Sequence, residues 1–307
     1  MLVPVIAFTA GDPWGVGPEL VVKALRDGRV RRACRPLLIG PRRAFAAAGW
    51  RPGLAPLLDP GLPAGPVNRR STAAGGRASY QAVLTAAKLA GRRLIGGFVT
   101  APVSKEAWKL AGVLHLDHTA LLKALTRSPR VAMMLLGGPF RAVIVTRHIP
   151  LRAVPAAVTP AALAEAAELA DEGLRALGIR RPRLALCALN PHAGEGGLLG
   201  SEEGRVLAPA ARFLRRRGLD LDGPLPADAA WAAQSRGEYD ALVALYHDQA
   251  LIPLKAAVGY GVVNWTLGTP LVRTSPGHGT AYAIAGRGKA DAEATVQAAL
   301  LAARLAR

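Results

Sequence analysis

Short apolar runs rich in β-branched residues alternate along the chain with longer Ala- and Leu-rich segments of helical period. This alternation predicts an α/β protein with largely parallel sheets. The apolar runs predict strands at 3–9, 36–40, 94–100, 131–136, 142–146, 183–189, 241–245 and 261–265. The periodic segments predict helices at 17–26, 78–91, 103–112, 160–177, 204–217 and 290–306. Thr159 followed by Pro160 predicts an N-cap and a first-turn proline. Pro- and Gly-rich stretches at 52–66 and 218–227 are interpreted as connections.

The composition is that of a folded chain with two domains of ordinary size. Its 307 residues are 51% hydrophobic, 20% charged and 5% aromatic, without a biased repeat, which argues against a disordered or fibrous protein. The first residues read as a strand rather than a signal peptide, and no run reaches the ~18 apolar residues of a membrane helix. We therefore expect a cytoplasmic protein without a membrane partner. Two cysteines cannot form a disulfide framework, and we expect Cys187 to be a buried, inert thiol.

The formal net charge is +18, from 39 Lys and Arg against 21 Asp and Glu. Of the 39 cations 32 are Arg, a uniform bias that is more typical of coding bias than of a nucleic-acid footprint. The basic clusters at 180–181 and 215–217 are short and scattered, and no nucleic-acid-binding motif accompanies them. We expect no nucleic-acid partner, whereas anionic small molecules would be attracted.

Three of the six histidines share one local pattern. His148, His192 and His247 each stand at the carboxyl end of a predicted strand. Because the carboxyl ends of parallel strands share one edge of a sheet, these imidazoles could converge there on a divalent metal. The segment at 190–197 is rich in glycine, so that its backbone could approach a ligand closely. Asp248 could orient a ligand, handle a proton, or only cap a helix.

Several common enzyme motifs are missing from the sequence. The loop at 11–19 joins a strand to a helix but does not read G-x-G-x-x-G, and neither a P-loop nor a G-x-S-x-G elbow occurs. Near the C-terminus Lys255, Asn264 and Arg273 recur at intervals of nine across loop-and-strand sequence. Lys255 stands in an apolar setting, where either a bound phosphate or carboxylate or a snorkelling side chain would explain it.

The motifs resemble those of the 4-hydroxythreonine-4-phosphate dehydrogenases of pyridoxal phosphate biosynthesis. The resemblance runs from about residue 5 to 305 and rests on GDPWGVGPE, TAPVSKEA, HT at 118–119, LNPHAGEGGLLGSEE, GPLPAD, YHDQALIPLK, NWTLGTPLVRTS and HGTAYAIAGRGKAD. It implies two α/β/α domains with a cleft between them, as in isocitrate and isopropylmalate dehydrogenases. It also implies a homodimer whose active sites use both chains, and NAD binding without a Rossmann fingerprint. We place the first domain at 1–130 plus 265–307, and the second, with the metal-ligand strands, at 131–264.

Matching positions carry the family's site residues onto this chain. The metal ligands fall on His148, His192 and His247. The substrate contacts fall on His118, Thr119, Lys255, Asn264 and Arg273. Asp228 and Asp248 match acidic residues of the cleft and are the candidate catalytic groups. His278, Gly279, Thr280 and Ala281 match a loop at the adenosine end of the dinucleotide.

Three positions depart from the family pattern. Asp117 and Ala120 stand where the family usually has Gly and Glu, and Trp14 replaces a small residue. A carboxylate at 117 is unfavourable beside an anionic substrate unless it points away.

The resemblance implies oxidation of 4-(phosphooxy)-L-threonine with NAD, or NADP, and zinc, cobalt or magnesium. The product, 2-amino-3-oxo-4-phosphooxybutanoate, would decarboxylate to 3-amino-2-oxopropyl phosphate. Alternatives are a dehydrogenase of phospho-threonate, phospho-erythronate or a dihydrodiol dicarboxylate. More remote ones are a metal-dependent hydrolase and a nucleic-acid-binding protein.

Overall fold

A computed structural model describes residues 3–61, 69–115 and 117–307. Within these ranges the strands are β1 Val5–Thr9, β2 Arg35–Ile39, β3 Leu57–Leu58, β4 Gly97–Thr100, β5 Ala132–Gly137, β6 Phe140–Ile144, β7 Arg183–Cys187, β8 Asp220–Leu225, β9 Ala241–Ala244, β10 Val263–Leu267 and β11 Arg273–Pro276. The helices are α1 Gly17–Arg26, α2 Gly28–Ala33, α3 Arg42–Ala47, α4 Ala73–Gly91, α5 Lys105–Leu110, α6 His118–Thr126, α7 Val154–Ala157, α8 Pro160–Ala176, α9 Ala208–Arg216, α10 Ala227–Ser235, α11 His247–Val258 and α12 Glu293–Leu305.

The chain divides into two compact units. The first comprises Met1–Ser128, Tyr260–Trp265 and Thr269–Arg307, and the second comprises Pro129–Gly259 and Thr266–Gly268. These units differ from the predicted domains at their edges. Residues 260–264, expected in the second domain, group here with the first unit, and residues 129–130 and 266–268, expected in the first domain, group with the second.

In the first unit the strands lie in the order β3-β2-β1-β4-β11-β10 and are parallel except for the antiparallel pair of β10 and β11. Successive side chains of a strand point to opposite faces, so each strand supplies both layers of the core. Ile6 and Phe8 of β1 pack with apolar residues of α1 and α12. Ala7 and Phe98 pack on the other face with residues of α4 and α6. This unit is therefore an α/β/α sandwich.

In the second unit the strands lie in the order β5-β6-β9-β7-β8. β5 and β6 form an antiparallel hairpin, and the remaining neighbours are parallel. Helices α8 and α11 pack against β5, β6 and β9, while α10 packs against β7 and β9. The carboxyl ends of β6, β9 and β7 consequently lie side by side.

Most predicted elements are confirmed, and the mixed α/β class with them. Helix α1 has the predicted bounds, and Thr159 caps α8 by accepting a hydrogen bond from Ala162 N at 3.2 Å. The stretch 218–227 is not merely a connection, because it contains β8, which pairs in parallel with β7 although its Asp, Gly and Pro residues are poor strand formers. Residues 62–66 of the other stretch lie outside the described residues.

Both cysteines are free and buried, as expected for Cys187. Burial raises the pKa of the Cys34 thiol to about 11 and that of the Cys187 thiol to about 12. Among the described helices we find none with the length and apolar composition that crossing a bilayer requires.

Candidate functional site

Three histidines follow three neighbouring parallel strands of the second unit. His148 comes after β6, His247 after β9 and His192 after β7, and β9 pairs with both of the others. The strand-end placement predicted from the sequence is thus present at the carboxyl edge, where open α/β sheets bind ligands.

Two of these imidazoles lie together. The ring centroids of His148 and His247 are 5.6 Å apart. Asp248 Oδ1 lies 2.7 Å from His247 Nδ1, so that the ring N–H can donate to the carboxylate. Such a carboxylate fixes the tautomer and leaves Nε2 available to a metal or a substrate. Within the described residues, no three His, Cys, Asp or Glu side chains are arranged to hold a metal ion. His192 is therefore not gathered with the other two in the single chain.

His192 begins an unusual stretch of backbone. Residues 192–196 all have positive φ, with φ 53° at His192, 54° at Ala193 and 46° at Glu195. Left-handed backbone costs roughly 1–2 kcal/mol per non-glycine residue, so the stretch must be held by its surroundings. The flanking glycines reduce this cost, which explains why the segment is rich in glycine.

Glu203 anchors the start of this stretch. Its carboxylate is buried and accepts hydrogen bonds from Leu189 N at 2.9 Å, Asn190 N at 2.8 Å and Asn190 Nδ2 at 2.9 Å. Burial raises the pKa of Glu203, but these hydrogen bonds outweigh it and the net pKa lies below its ordinary value. Glu203 lies in the motif LNPHAGEGGLLGSEE, but its role is not predictable from sequence, because nothing in the spacing shows that it reaches back to residue 190.

Gln249 joins two of the strand ends. Leu245 N donates to its Oε1, and its Nε2 donates to Ala188 O, both at 2.7 Å. Thr146 Oγ1 similarly donates to Leu245 O at 2.7 Å. These buried side chains fix the loops that carry the histidines, a role that the sequence analysis did not assign.

The remaining polar residues predicted in this unit are exposed. Asp228 lies in the first turn of α10 and Asp248 in the first turn of α11. Of the roles left open for Asp248, the structure shows hydrogen bonding to His247 and no side-chain cap of α11. Lys255 lies in the last turn of α11 and is exposed, so the expectation of loop or strand there is wrong. The helix was missed because Pro253 interrupts its pattern.

The first unit contains a buried cation, Arg273. Its side chain belongs to a residue only 2% exposed, and its Nε donates to Thr100 Oγ1 at 2.9 Å. Burial lowers the pKa of the Arg273 guanidinium to about 9, and the nearby carboxylate of Asp117 opposes that shift. A buried guanidinium is costly unless an anion offsets its charge. The departure at 117 also has a local role, because Asp117 caps α6 by accepting from Ala120 N at 2.9 Å.

Two predicted substrate contacts belong to the same unit and have unsatisfied polar atoms. His118 Nε2 and Asn264 Oδ1 are inaccessible to solvent and have no hydrogen-bond partner within the described part of the chain. The pairing register puts Thr100, Arg273 and Asn264 on one face of the sheet, the face that α6 covers. Thr119 is buried in α6 beside His118.

The environment of His118 keeps its ring neutral. Burial is the largest cause of a pKa well below the ordinary value, and the positive charges of Arg273 and Lys105 add to it, while Asp117 opposes. Its ring stacks edge-on against Trp108, with centroids 5.3 Å apart. A neutral imidazole can still donate one hydrogen bond to an anion.

A cavity of about 510 Å³ lies in the first unit beside the segment 278–281. Its lining residues are Val16, Leu20, Tyr260, His278, Gly279, Ala281, Ile284, Lys289, Ala290 and Asp291. The cavity therefore includes three of the four residues expected at the adenosine end of a dinucleotide.

Comparison with known proteins places the chain in a family. The family model described as "Pyridoxal phosphate biosynthetic protein PdxA" matches residues 59–302. The 4-hydroxythreonine-4-phosphate dehydrogenase of Geobacter metallireducens is 42% identical over 99% of this chain and 96% of its own length. The D-threonate 4-phosphate dehydrogenase of Cupriavidus necator is 38% identical over 99% of this chain and 97% of its own length.

The solved structures agree on the fold. The 4-hydroxythreonine-4-phosphate dehydrogenase from Klebsiella pneumoniae superimposes with a TM-score of 0.87 at 35% identity and covers 99% of this chain and 98% of its own. The isocitrate dehydrogenase from Methylococcus capsulatus covers 98% of this chain and 88% of its own with a TM-score of 0.52 at 16% identity. The expected relation to isocitrate dehydrogenase-like folds is thus confirmed at the level of the fold.

Proposed function

The chain belongs to the family of pyridoxal phosphate biosynthetic proteins named PdxA, and on that premise we propose that it oxidises 4-(phosphooxy)-L-threonine with NAD and a divalent metal. The observation that carries the proposal is the buried Arg273, which has the unsatisfied atom of Asn264 on its own face of the sheet and that of His118 on the helix α6 that covers this face. The buried cation and the His118 ring nitrogen, which can donate, fit a bound phosphate, because the phosphate supplies negative charge and acceptor oxygens. The Asn264 amide oxygen is an acceptor and fits a donor on the substrate, such as an ammonium or hydroxyl group.

The phosphate contacts would position the substrate. Arg273 is held by Thr100, to which its Nε and Nη2 both donate, and its guanidinium would supply the positive charge that a phosphate requires. His118 adds one donor from its neutral ring and Thr119 a hydroxyl, and Lys255 is the further predicted contact. Fixing the substrate in this way favours reaction by reducing the entropy that must be lost in the transition state.

The strand-end histidines fit a divalent metal by the chemistry of their donors. Imidazole nitrogens suit zinc or cobalt, whereas magnesium is a hard cation that prefers oxygen ligands. Asp248 orients the ring of His247 through its hydrogen bond. We assign His148, His192 and His247 as the ligands. When bound, the metal would act as a Lewis acid that lowers the pKa of the substrate hydroxyl. Asp248 and Asp228 are the exposed carboxylates that could receive the proton.

The cavity beside 278–281 would hold the adenosine end of NAD or NADP. When bound, the nicotinamide cofactor would supply the hydride acceptor, and oxidation of the substrate's 3-hydroxyl group would give 2-amino-3-oxo-4-phosphooxybutanoate. This β-keto acid loses carbon dioxide to give 3-amino-2-oxopropyl phosphate, a precursor in pyridoxal phosphate biosynthesis. As the family resemblance implies, we propose a cytoplasmic homodimer whose active sites use both chains.

A coupled screen tests the proposal. Purified protein is incubated with NAD and Zn²⁺, Co²⁺ or Mg²⁺, and NADH formation is followed with phosphorylated and unphosphorylated 4-hydroxythreonine. We expect NADH only with the phosphorylated substrate, in step with carbon dioxide release. The absence of NADH with every phosphorylated hydroxy acid would contradict the proposal, and release of inorganic phosphate without NADH would favour a hydrolase.

A second candidate substrate is D-threonate 4-phosphate, because the relative from Cupriavidus necator that acts on it is 38% identical. 4-(Phosphooxy)-L-threonine bears an ammonium group where D-threonate 4-phosphate bears a hydroxyl group. Comparing kcat/KM for both in the same screen distinguishes the candidates.

A further inference from the structure

The wall of the cavity formed by 278–281 is attached to the loop that follows β1. Val16 N donates to Thr280 O at 2.9 Å. A methyl group at Gly15 would lie 2.8 Å from the same carbonyl oxygen, so the close approach of the two segments requires glycine there. Segments more than 260 residues apart in sequence thus form one side of the cavity.

Asp12, in the loop after β1, makes a second link to this wall. Its carboxylate is fully buried and accepts hydrogen bonds from Trp14 N at 3.0 Å and from the Tyr282 hydroxyl at 2.8 Å. The Tyr282 oxygen also lies 3.4 Å from Ser71 Oγ, which is 2.7 Å from Ser104 Oγ. Tyr282 is therefore held at its hydroxyl end by the buried Asp12 and the half-buried Ser71 and Ser104.

The residue between the two links has strained backbone. Ala281 has φ 42° and ψ 51°, a left-handed conformation that a non-glycine residue adopts at a cost. Thr280 is held on one side by Val16 and Tyr282 on the other by Asp12. Since both Gly279 and Ala281 line the cavity, the strained conformation shapes its surface directly.

We propose that Asp12 and Tyr282 are positioning residues that hold the segment 278–281 in the conformation that binds the adenosine half of the dinucleotide. The inference rests on the proposed function, because it takes that cavity as the cofactor site. Neither side chain lines the cavity. Their role is to fix Ala281 and its neighbours through the hydrogen bond at Tyr282.

Tyr282→Phe tests this role, because it removes only the hydroxyl and keeps the ring. Without this hydrogen bond the segment 278–281 can leave the binding conformation, and the affinity falls by the fraction of protein that remains competent, here about 5- to 150-fold. We expect a rise in that range in the Kd of ADP-ribose, measured by calorimetry on the wild-type and variant proteins. The KM for NAD should rise in parallel, while kcat at saturating NAD and the KM for the phosphorylated substrate stay within about twofold of wild type.

Two further variants complete the experiment. Asp12→Asn retains groups that can hydrogen-bond both Trp14 N and the Tyr282 hydroxyl, and it should restore most of the affinity that Asp12→Ala loses. Tyr239→Phe is the matched control, because it removes another Tyr hydroxyl that donates to an aspartate, Asp222, at 3.0 Å in the second unit. We expect the control to bind ADP-ribose as the wild type does.

The outcomes separate the two proposals. If the wild type binds neither ADP-ribose nor NAD, the proposed function fails and the positioning role fails with it. If the wild type binds both and Tyr282→Phe binds them equally well with an unchanged melting temperature, only the positioning role is overturned. The positioning role is also overturned if kcat falls while both KM values rise, because a general loss of structure gives that result.

Discussion

At the scale of single residues, the first unit buries polar groups at a cost in folding free energy, and these groups lie near the predicted phosphate site. Arg273 is 2% exposed, and its Nε and Nη2 both donate to Thr100 Oγ1. The positive charge of Arg273 lowers the pKa of His118 further, beyond the lowering that burial causes. A bound anion would relieve the cost of both groups, so substrate binding and local stability are coupled here.

The lowered pKa of His118 predicts how stability depends on pH. Below its ordinary value of 6.5 the unfolded chain takes up a proton that the folded chain refuses, so the free energy of unfolding falls as the pH decreases. His118→Gln removes this contribution. We expect the loss of stability between pH 7 and pH 5, measured by urea denaturation, to be smaller in the variant than in the wild type. Identical losses would show that His118 titrates normally in the folded protein.

At the scale of elements, the sequence predicts bounds and caps correctly where several local features agree. The bounds of α1 and the cap of α8 were predicted because periodicity, proline and threonine agreed there. The strands β8 and β11 were missed because polar residues, glycine and proline mask their patterns, and pairing with neighbouring strands decides their conformation. The helix α11 was missed because Pro253 interrupts its pattern. The same limit applies to the site. The strand-end position of the histidines can be predicted from sequence. The left-handed stretch at 192–196 cannot be predicted in this way, because it depends on contacts of Glu203.

The cap of α8 allows a quantitative prediction. Thr159 accepts a hydrogen bond from Ala162 N and is exposed, so its replacement leaves no cavity. Thr159→Ala should lower the free energy of unfolding by about 1 kcal/mol, and Thr159→Ser, which retains the hydroxyl, should lower it by much less. Both values are measured by urea denaturation. Equal effects of Ala and Ser would mean that the hydroxyl contributes nothing.

At the scale of the whole molecule, the net charge of +18 acts on anionic substrates before they bind. A field of this sign raises the rate of encounter with a phosphorylated substrate, and salt screens it over a Debye length of about 10 Å at 0.1 M. We expect kcat/KM for the phosphorylated substrate to fall about threefold or more between roughly 0.02 and 0.3 M salt, with kcat little changed. An unphosphorylated analogue, measured in parallel, should show a weaker dependence. Equal dependence for both would contradict charge steering.

The proposed metal ligands lie in one unit and, apart from Lys255, the proposed substrate contacts lie in the other, which makes metal binding and phosphate binding separable by mutation. The proposed metal ligands His148, His192 and His247 belong to the second unit, and Arg273, His118 and Asn264 belong to the first. His192→Ala and His247→Ala should abolish turnover and reduce bound metal, because two imidazoles rarely retain a catalytic ion. Arg273→Ala should keep its metal but lose a charge-assisted hydrogen bond to the phosphate, raising the KM by about 10- to 150-fold.

Metal content by mass spectrometry and kinetics on phosphorylated and unphosphorylated 4-hydroxythreonine measure the two effects independently. Arg273→Lys retains the charge without the planar fork and should fall between Ala and the wild type. Exposed Arg43 on α3 provides the control, since Arg43→Ala should alter neither quantity. Full metal content in His192→Ala would remove that residue from the ligand set. An Arg273→Ala protein with an unchanged KM for the phosphorylated substrate would remove Arg273 from the phosphate site while leaving the metal assignment standing.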